Sequence, residues 1–266
     1  MSSGAVAGMI GWVFCPGDGV PVSALTLVGV GPGDPRLLTV AAVEAIAAAD
    51  VVAHPVAEAG GDGIAARIAA PWIRPDQRRL PLVLPMVAEA EPRRQAWHRA
   101  ADLLAAEVAS GAAVVLLCEG DASLFASGSY VLLALAQRHP TVALAVIPGI
   151  TSVAAAAAAA APGPWPLALQ HEGLLLRPTP DTPAALEALL AQAAADGTVL
   201  ALLKLGRRWR WVRPLLEARG LLATSLYGEQ VGWPGQRLLP AAQVPAAAAP
   251  YFSLLLVRQG WPAVLP

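Results

Sequence analysis

The stretch ALTLVGVGPGDPRLLT, residues 24–39, decides how the chain is read. Its first half is a short apolar run closed by glycine, the pattern of a strand covered on both faces. Its second half sets Gly29, Gly31 and Gly33 around two prolines and an acid, after which helical spacing begins. A strand that ends in a glycine loop and feeds a helix is the opening unit of a layered α/β domain. Working outward, the alternation recurs. Helices are expected over 38–49, 64–70, 92–109 and 127–138, and strands over 50–54, 80–84, 112–118 and 142–147. The second half predicts helices over 152–161, 183–195 and 209–219. Its strands are expected over 173–177, 198–204, 225–229, 236–239 and 251–257. Its later strands follow one another without helices, which predicts a mixed sheet. The fold class is therefore α/β in two domains, with a mostly parallel N-terminal sheet over 23–147 and a mixed C-terminal sheet over 148–262. Residues 1–22 read as a disordered extension.

The 266 residues are 56% hydrophobic and only 14% charged, which raises the question of a membrane. A spanning helix needs about 18–20 apolar residues in a row, and the longest uncharged stretch, 141–170, is interrupted by Pro148-Gly149 and Pro162-Gly163-Pro164. Alanine supplies much of the apolarity, and no membrane partner is expected. A net charge of -1 argues against a broad grip on nucleic acid. Cys15 and Cys118 lack the spacing of a disulfide framework or a metal site, so no metal and a reducing, cytoplasmic setting are expected.

The first loop does not fit a dinucleotide. A pyrophosphate cradle needs backbone N–H groups and a third glycine that opens the helix. Pro32 and Pro35 have no N–H, and Asp34 occupies the third-glycine position. Two further loops follow expected strands, Glu119-Gly120-Asp121-Ala122 and Pro148-Gly149-Ile150-Thr151-Ser152. Ligands of parallel sheets bind beyond the carboxyl ends of the strands, so three such loops point to one shared ligand. Carboxylates among them favour a neutral or cationic group, such as an adenosyl sulfonium. Turn formation by Asp121 and capping by Thr151 or Ser152 are the plain structural alternatives.

Taken together, the loop at 29–39, Ala49-Asp50-Val51-Val52, Glu119-Gly120-Asp121 and 148–152 resemble the tetrapyrrole methylase family in order and spacing. The resemblance continues through Lys204-Leu205-Gly206-Arg207, Gly228-Glu229-Gln230, Gln236-Arg237 and Pro250-Tyr251-Phe252-Ser253, covering about residues 25–257. Within the family, the pattern is most similar to the branch that methylates precorrin-2 at C20. This implies a homodimeric enzyme of two α/β domains that binds S-adenosyl-L-methionine between them. Precorrin-2 would be its tetrapyrrole partner, and precorrin-3A and S-adenosyl-L-homocysteine its products. A sibling acting at another ring carbon or on cobalt-precorrin-2, and a non-catalytic adenosyl-binding scaffold, are the rival readings.

Carried over by position, the resemblance assigns cofactor contacts to Pro32, Glu119, Gly120, Asp121, Leu124, Thr151 and Ser152, and in the second domain to Leu205 and Val231. Ala122 and Phe125-Ala126 depart from the Pro and Tyr-Gly common in the family, and Ala122 leaves its loop less pre-set. Loss of a proton from the methylated carbon invites a general base. The sequence does not identify one, with Glu119 and His54 candidates on position alone. A polycarboxylate substrate suits arginine forks, which makes Arg36, Arg207, Arg208 and Arg237 candidate substrate contacts. Trp209, Trp211 and Trp233 fit either a macrocycle pocket or the core.

Overall fold

The computed structural model describes residues 24–161, 163 and 165–261; the expected extension over 1–22 lies outside the described residues. The chain divides into two compact units, Met1–Thr151 and Ser152–Pro266.

The first unit alternates strand and helix: β1 Ala24–Gly29, α1 Val40–Ala48, β2 Val51–Val56, α2 Ile64–Ala69, β3 Arg78–Val83, α3 Ala90–Ala109, β4 Val114–Cys118, α4 Ser127–Arg138 and β5 Ala143–Ile147. Its five strands lie in the order β3-β2-β4-β1-β5, all parallel. Side chains alternate across a strand, so Leu25, Leu27, Val51, Ala53, Leu116 and Cys118 face one way, packed with Ala100 and Leu104 of α3 and Val131 and Leu135 of α4. The opposite face, with Val28, Val52 and Leu117, is buried beneath Ala42 and Ile46 of α1 and Ile68 of α2. Thr39 begins α1 as its side chain accepts from the Ala42 N–H at 3.1 Å.

Departures from the expected boundaries have local causes. β3 starts at Arg78, ahead of its apolar residues, because it is an edge strand whose exposed Arg78 and Arg79 face solvent. β2 runs on through Pro55 because β4 pairs with it only as far as Ala53, so the missing proline N–H breaks no ladder bond on that side. The alanine helix, Ser152–Ala158, stops short of the expected 161. There the carbonyl of Ala157 accepts instead from the Trp165 N–H at 3.0 Å.

The second unit continues with α5 Ser152–Ala158, β6 Gly173–Pro178, α6 Pro183–Asp196, β7 Thr198–Leu203, α7 Trp209–Ala218, β8 Ser225–Glu229, β9 Arg237–Pro240 and β10 Ser253–Val257. The sheet order is β6-β7-β10-β8-β9. β6 and β7 are parallel, and the remaining pairs are antiparallel, giving the mixed sheet expected. Thr182 caps α6, Pro183 opens it, and Gly197 at φ 65° closes it. Trp209 is a core residue, 1% exposed, with its indole N–H donating to the Pro245 carbonyl at 2.9 Å.

Arg258, directly after β10, is fully buried. It pairs with Glu172, and its guanidinium lies 5.3 Å from the Trp165 ring centroid and 4.5 Å from that of Trp261. No helix among the described residues is long and apolar enough to cross a membrane.

Candidate functional site

At the carboxyl end of the first sheet, three loops close on one another through their backbones. Gly31 and Gly120 exchange a pair of hydrogen bonds at 3.2 and 2.8 Å, each glycine at positive φ, 76° and 70°. A Cβ at Gly29 would fall 2.6 Å from the Gly149 nitrogen, and one at Gly149 would fall 2.2 Å from the Gly120 carbonyl oxygen. Glycine is required at both positions by close approach of main chain to main chain.

Asp121 fastens this arrangement. One carboxylate oxygen accepts from the Ser123 N–H at 2.8 Å and from the Ser123 hydroxyl, while the other accepts from the Gly149 N–H at 2.9 Å. Turn formation thus accounts for one oxygen of Asp121 and the link to Gly149 for the other, and its peptide group is what remains for a ligand. Asp121→Asn places an amide where two N–H donors converge on acceptors. It should cost about 1–3 kcal/mol, read as a lower denaturation midpoint with an unchanged denaturant slope. At Ala122 the loop is held in another way: the methyl is buried, and the carbonyl accepts from the Ser129 hydroxyl at 2.7 Å.

The other residues of this rim differ in how far they are committed. Pro32 is buried. Asp34 accepts from the Arg36 N–H at 2.9 Å and pairs with its guanidinium at 2.6 Å; that partner holds the Asp34 carboxyl below its ordinary value. Arg36, one of the expected substrate contacts, is therefore already engaged by a carboxylate, although it is largely exposed. Leu124 and Phe125 are exposed, and Phe125 takes φ 53°. Thr151 ends the first unit and Ser152 begins α5.

Glu119 follows β4 on the sheet face covered by α2. It is half-buried and makes no hydrogen bond among the described residues. Burial pushes its carboxyl up to about 7, against the opposing pull of the Arg67 guanidinium on α2. Its neighbour Cys118 is pushed up to about 12 by burial and by the charges of Asp121 and Glu119, so the thiol is not an activated nucleophile. His54 is 7% exposed, and its Nδ1 has no hydrogen-bond partner. The ring lies against Gly63, where a Cβ would fall 2.3 Å from Nδ1. Burial lowers its pKa, which favours the neutral ring.

In the second unit, Leu205 is 0% and Val231 6% exposed, so only their peptide groups are available to a ligand. The Leu205 N–H donates to the Ser253 carbonyl at 3.1 Å, Gly206 N–H to the Ser253 hydroxyl at 3.0 Å, and Gln230 N–H to the Phe252 carbonyl at 2.9 Å. Lys204 and Gln230 adopt φ 56° and 49°. Non-glycine residues held at positive φ gather at functional sites.

Of the remaining arginines, Arg208 pairs with Asp181, and Arg237 with Glu229 at 2.6 Å. Arg213 is tied to Glu217 and the Val244 carbonyl. Arg207 is exposed and has no ion pair among the described residues. The sequence reading missed Arg67, Ser123 and Ser129, whose parts depend on side-chain contacts that no local pattern encodes.

The profile of the tetrapyrrole (corrin/porphyrin) methylases matches residues 24–244. The cobalamin biosynthesis protein CobIJ of Mycobacterium tuberculosis (strain H37Rv) is 39% identical over 241 residues, 88% of this chain. This chain spans about half of that relative's length, 45%. A precorrin-2 C(20)-methyltransferase of Sinorhizobium sp. is 35% identical, with 92% of this chain and 98% of the relative covered. Among solved structures, the cobalt precorrin-4 methyltransferase CbiF has a TM-score of 0.62 at 22% identity, with 90% of this chain and 97% of that chain covered. The fold, the interlocked glycine loops and the profile match agree: the chain belongs to the tetrapyrrole (corrin/porphyrin) methylase family.

Proposed function

We propose that this chain is an S-adenosyl-L-methionine-dependent C-methyltransferase that acts on precorrin-2 at C20, giving precorrin-3A and S-adenosyl-L-homocysteine in corrin biosynthesis. The observation that carries the reading is the closure of the loops after β1, β4 and β5 on one another, with Gly29 and Gly149 leaving no room for a side chain. This cradle suits an adenosyl ligand with a cationic centre: it is lined by peptide groups, and the Asp121 carboxylate is among its nearby charges. Pro32, Gly120, Asp121, Leu124, Thr151 and Ser152 are proposed to hold the cofactor together with the peptide group of Glu119, whose side chain is left free, and Leu205 and Val231 are proposed to contribute peptide groups. When bound, the cofactor supplies an electrophilic methyl group. The chain's own task is positioning, with an electron-rich carbon held about 3–3.5 Å from the methyl.

The substrate's carboxylates are proposed to meet Arg36, Arg207, Arg208 and Arg237. Arg207 has no competing ion pair among the described residues, so Arg207→Ala should raise KM about 10-fold or more, the worth of a charge-assisted hydrogen bond, with little change in stability. Arg237→Ala should instead lower stability, since Glu229, 7% exposed, loses its cation. Steady-state kinetics beside thermal denaturation of both variants separates the two effects.

The reading is tested by incubating purified protein with labelled cofactor and either metal-free or cobalt-loaded precorrin-2. One added methyl at C20, located by NMR, is expected, and the two substrates compared side by side give the metal preference. Methylation at another carbon replaces the reading with a sibling activity, and cofactor binding without turnover replaces it with a scaffold. A homodimer in the cytoplasm is also proposed, supported by the resemblance and by the sparse cysteines; sedimentation of the purified protein tests the dimer.

A further inference from the structure

Methylation at an unsubstituted ring carbon leaves that carbon with a hydrogen it must lose, and the candidate acids and the histidine named above differ in whether they can take it. Asp34 is bound by Arg36 through both oxygens. Asp121 is bound through both oxygens by Ser123 and Gly149. His54 is 7% exposed, with its ring packed on Gly63. Glu119 differs from all three: it stands at the end of the central strand β4, beside the Gly31–Gly120 bridge, half-buried and with no hydrogen bond among the described residues. Its lone pairs are unspent, and it keeps contact with solvent.

Resting on the methyltransferase reading above, we infer that the Glu119 carboxylate is the catalytic base that receives the proton released from the methylated ring carbon. The ring carbon makes one bond, to the methyl carbon, using a π pair of the macrocycle, and the donor sulfur keeps the pair of the broken S–CH3 bond. The carbon's hydrogen then leaves as a proton to a Glu119 oxygen, and the C–H pair restores conjugation. No oxidant or reductant is needed, and the proton is later lost to water.

The electrostatic surroundings agree with this role. Arg67 on α2 is the charge that acts on the Glu119 carboxyl, and Glu119 in turn acts on Cys118; His54 on β2, Glu58 and Asp62 on the loop after it, Asp121 and the Asp34–Arg36 pair are the other ionisable groups of these segments. Burial outweighs Arg67 and raises the carboxyl to about 7, near the optimum for a base working at neutral pH. Because the deprotonated form is the active one, turnover should rise with pH through about 7 and level off above it.

The test compares wild-type protein with Glu119→Gln and Glu119→Asp. Glutamine matches the neutral form that burial already favours, so Glu119→Gln should fold and bind S-adenosylhomocysteine within about 3-fold of wild type by calorimetry. Its turnover should fall by about 10²–10⁴-fold, lose the rising limb near pH 7 and slow further with C20-deuterated precorrin-2. Glu119→Asp should recover part of the rate. In ligand-free wild type labelled with ¹³C-glutamate, the carboxyl resonance absent from Glu119→Gln should titrate near neutrality. A wild-type rate and pH profile in Glu119→Gln overturns the inference, as does loss of S-adenosylhomocysteine binding, which would make the Glu119 side chain, and not only its peptide group, a cofactor ligand. Absence of any methylation by wild type instead overturns the proposed function itself and the inference with it.

Discussion

Gly149→Ala should weaken S-adenosylhomocysteine binding by at least ~100-fold, about 2.7 kcal/mol, while the chain still folds. The added Cβ would lie 2.2 Å from the Gly120 carbonyl oxygen and 2.8 Å from the Gly29 carbonyl carbon. Both obstacles are backbone, so no side-chain rotation relieves the clash. The third loop must withdraw, and the Gly149 N–H then leaves the Asp121 carboxylate that now accepts it at 2.9 Å. Overpacking of this kind costs about 1–3 kcal/mol in stability, and the displaced peptide groups account for the larger loss in binding. Calorimetric titration checks the result. Undiminished affinity in a folded Gly149→Ala variant would mean that the three-loop closure is not the cofactor cradle.

The second large effect lies at a buried ion pair of the second unit. Arg258→Ala should cost about 3–5 kcal/mol, because removing one partner of a buried ion pair strands the other. Arg258 is 0% exposed and Glu172 16%, and Glu172 also accepts from the Leu169 N–H at 2.7 Å. The guanidinium further fills the space beside Trp165 and Trp261, so alanine leaves a cavity as well as a stranded carboxylate. Restoring volume without charge, and neutralising the partner, should recover much of the loss; Arg258→Met with Glu172→Gln is the pair to make. Denaturant titration of the two single variants and the double variant gives the coupling between them. Additive losses would show that the pair contributes nothing as a pair.

These two residues also mark what could be read before the fold was known. The buried parallel strands were legible because each is a continuous apolar run between turn residues, as in 114–118. Gly149 was legible as a strand-end glycine, since glycine at such a site implies a special backbone. Why it must be glycine was not, because the obstructing atoms come from Gly29 and Gly120, distant along the chain. Arg258 gave no signal: one arginine after five strand residues looks like a solvated end, and its partner lies 86 residues away. The same limit applies to Asp121, whose sequence context suggests a ligand contact and a turn equally well. Only the position of the Gly149 N–H shows how its second oxygen is used. The arginines were the least legible group, since Arg36, Arg208 and Arg237 each have an acidic partner that takes up the guanidinium. Strand order was equally hidden, because apolar runs of similar length do not state which one sits at the centre.

The paired hydrogen bonds between Gly31 and Gly120 have a consequence for the entropy of recognition. Segments that must be ordered by their ligand subtract that ordering from the affinity, at about 1–2 kcal/mol for each residue fixed. Here the bends after β1 and β4 are stitched together by the protein itself, and folding has already supplied their order. A ligand arriving at these peptide groups meets donors and acceptors already in place, so more of its contact energy is left to orient a reacting carbon.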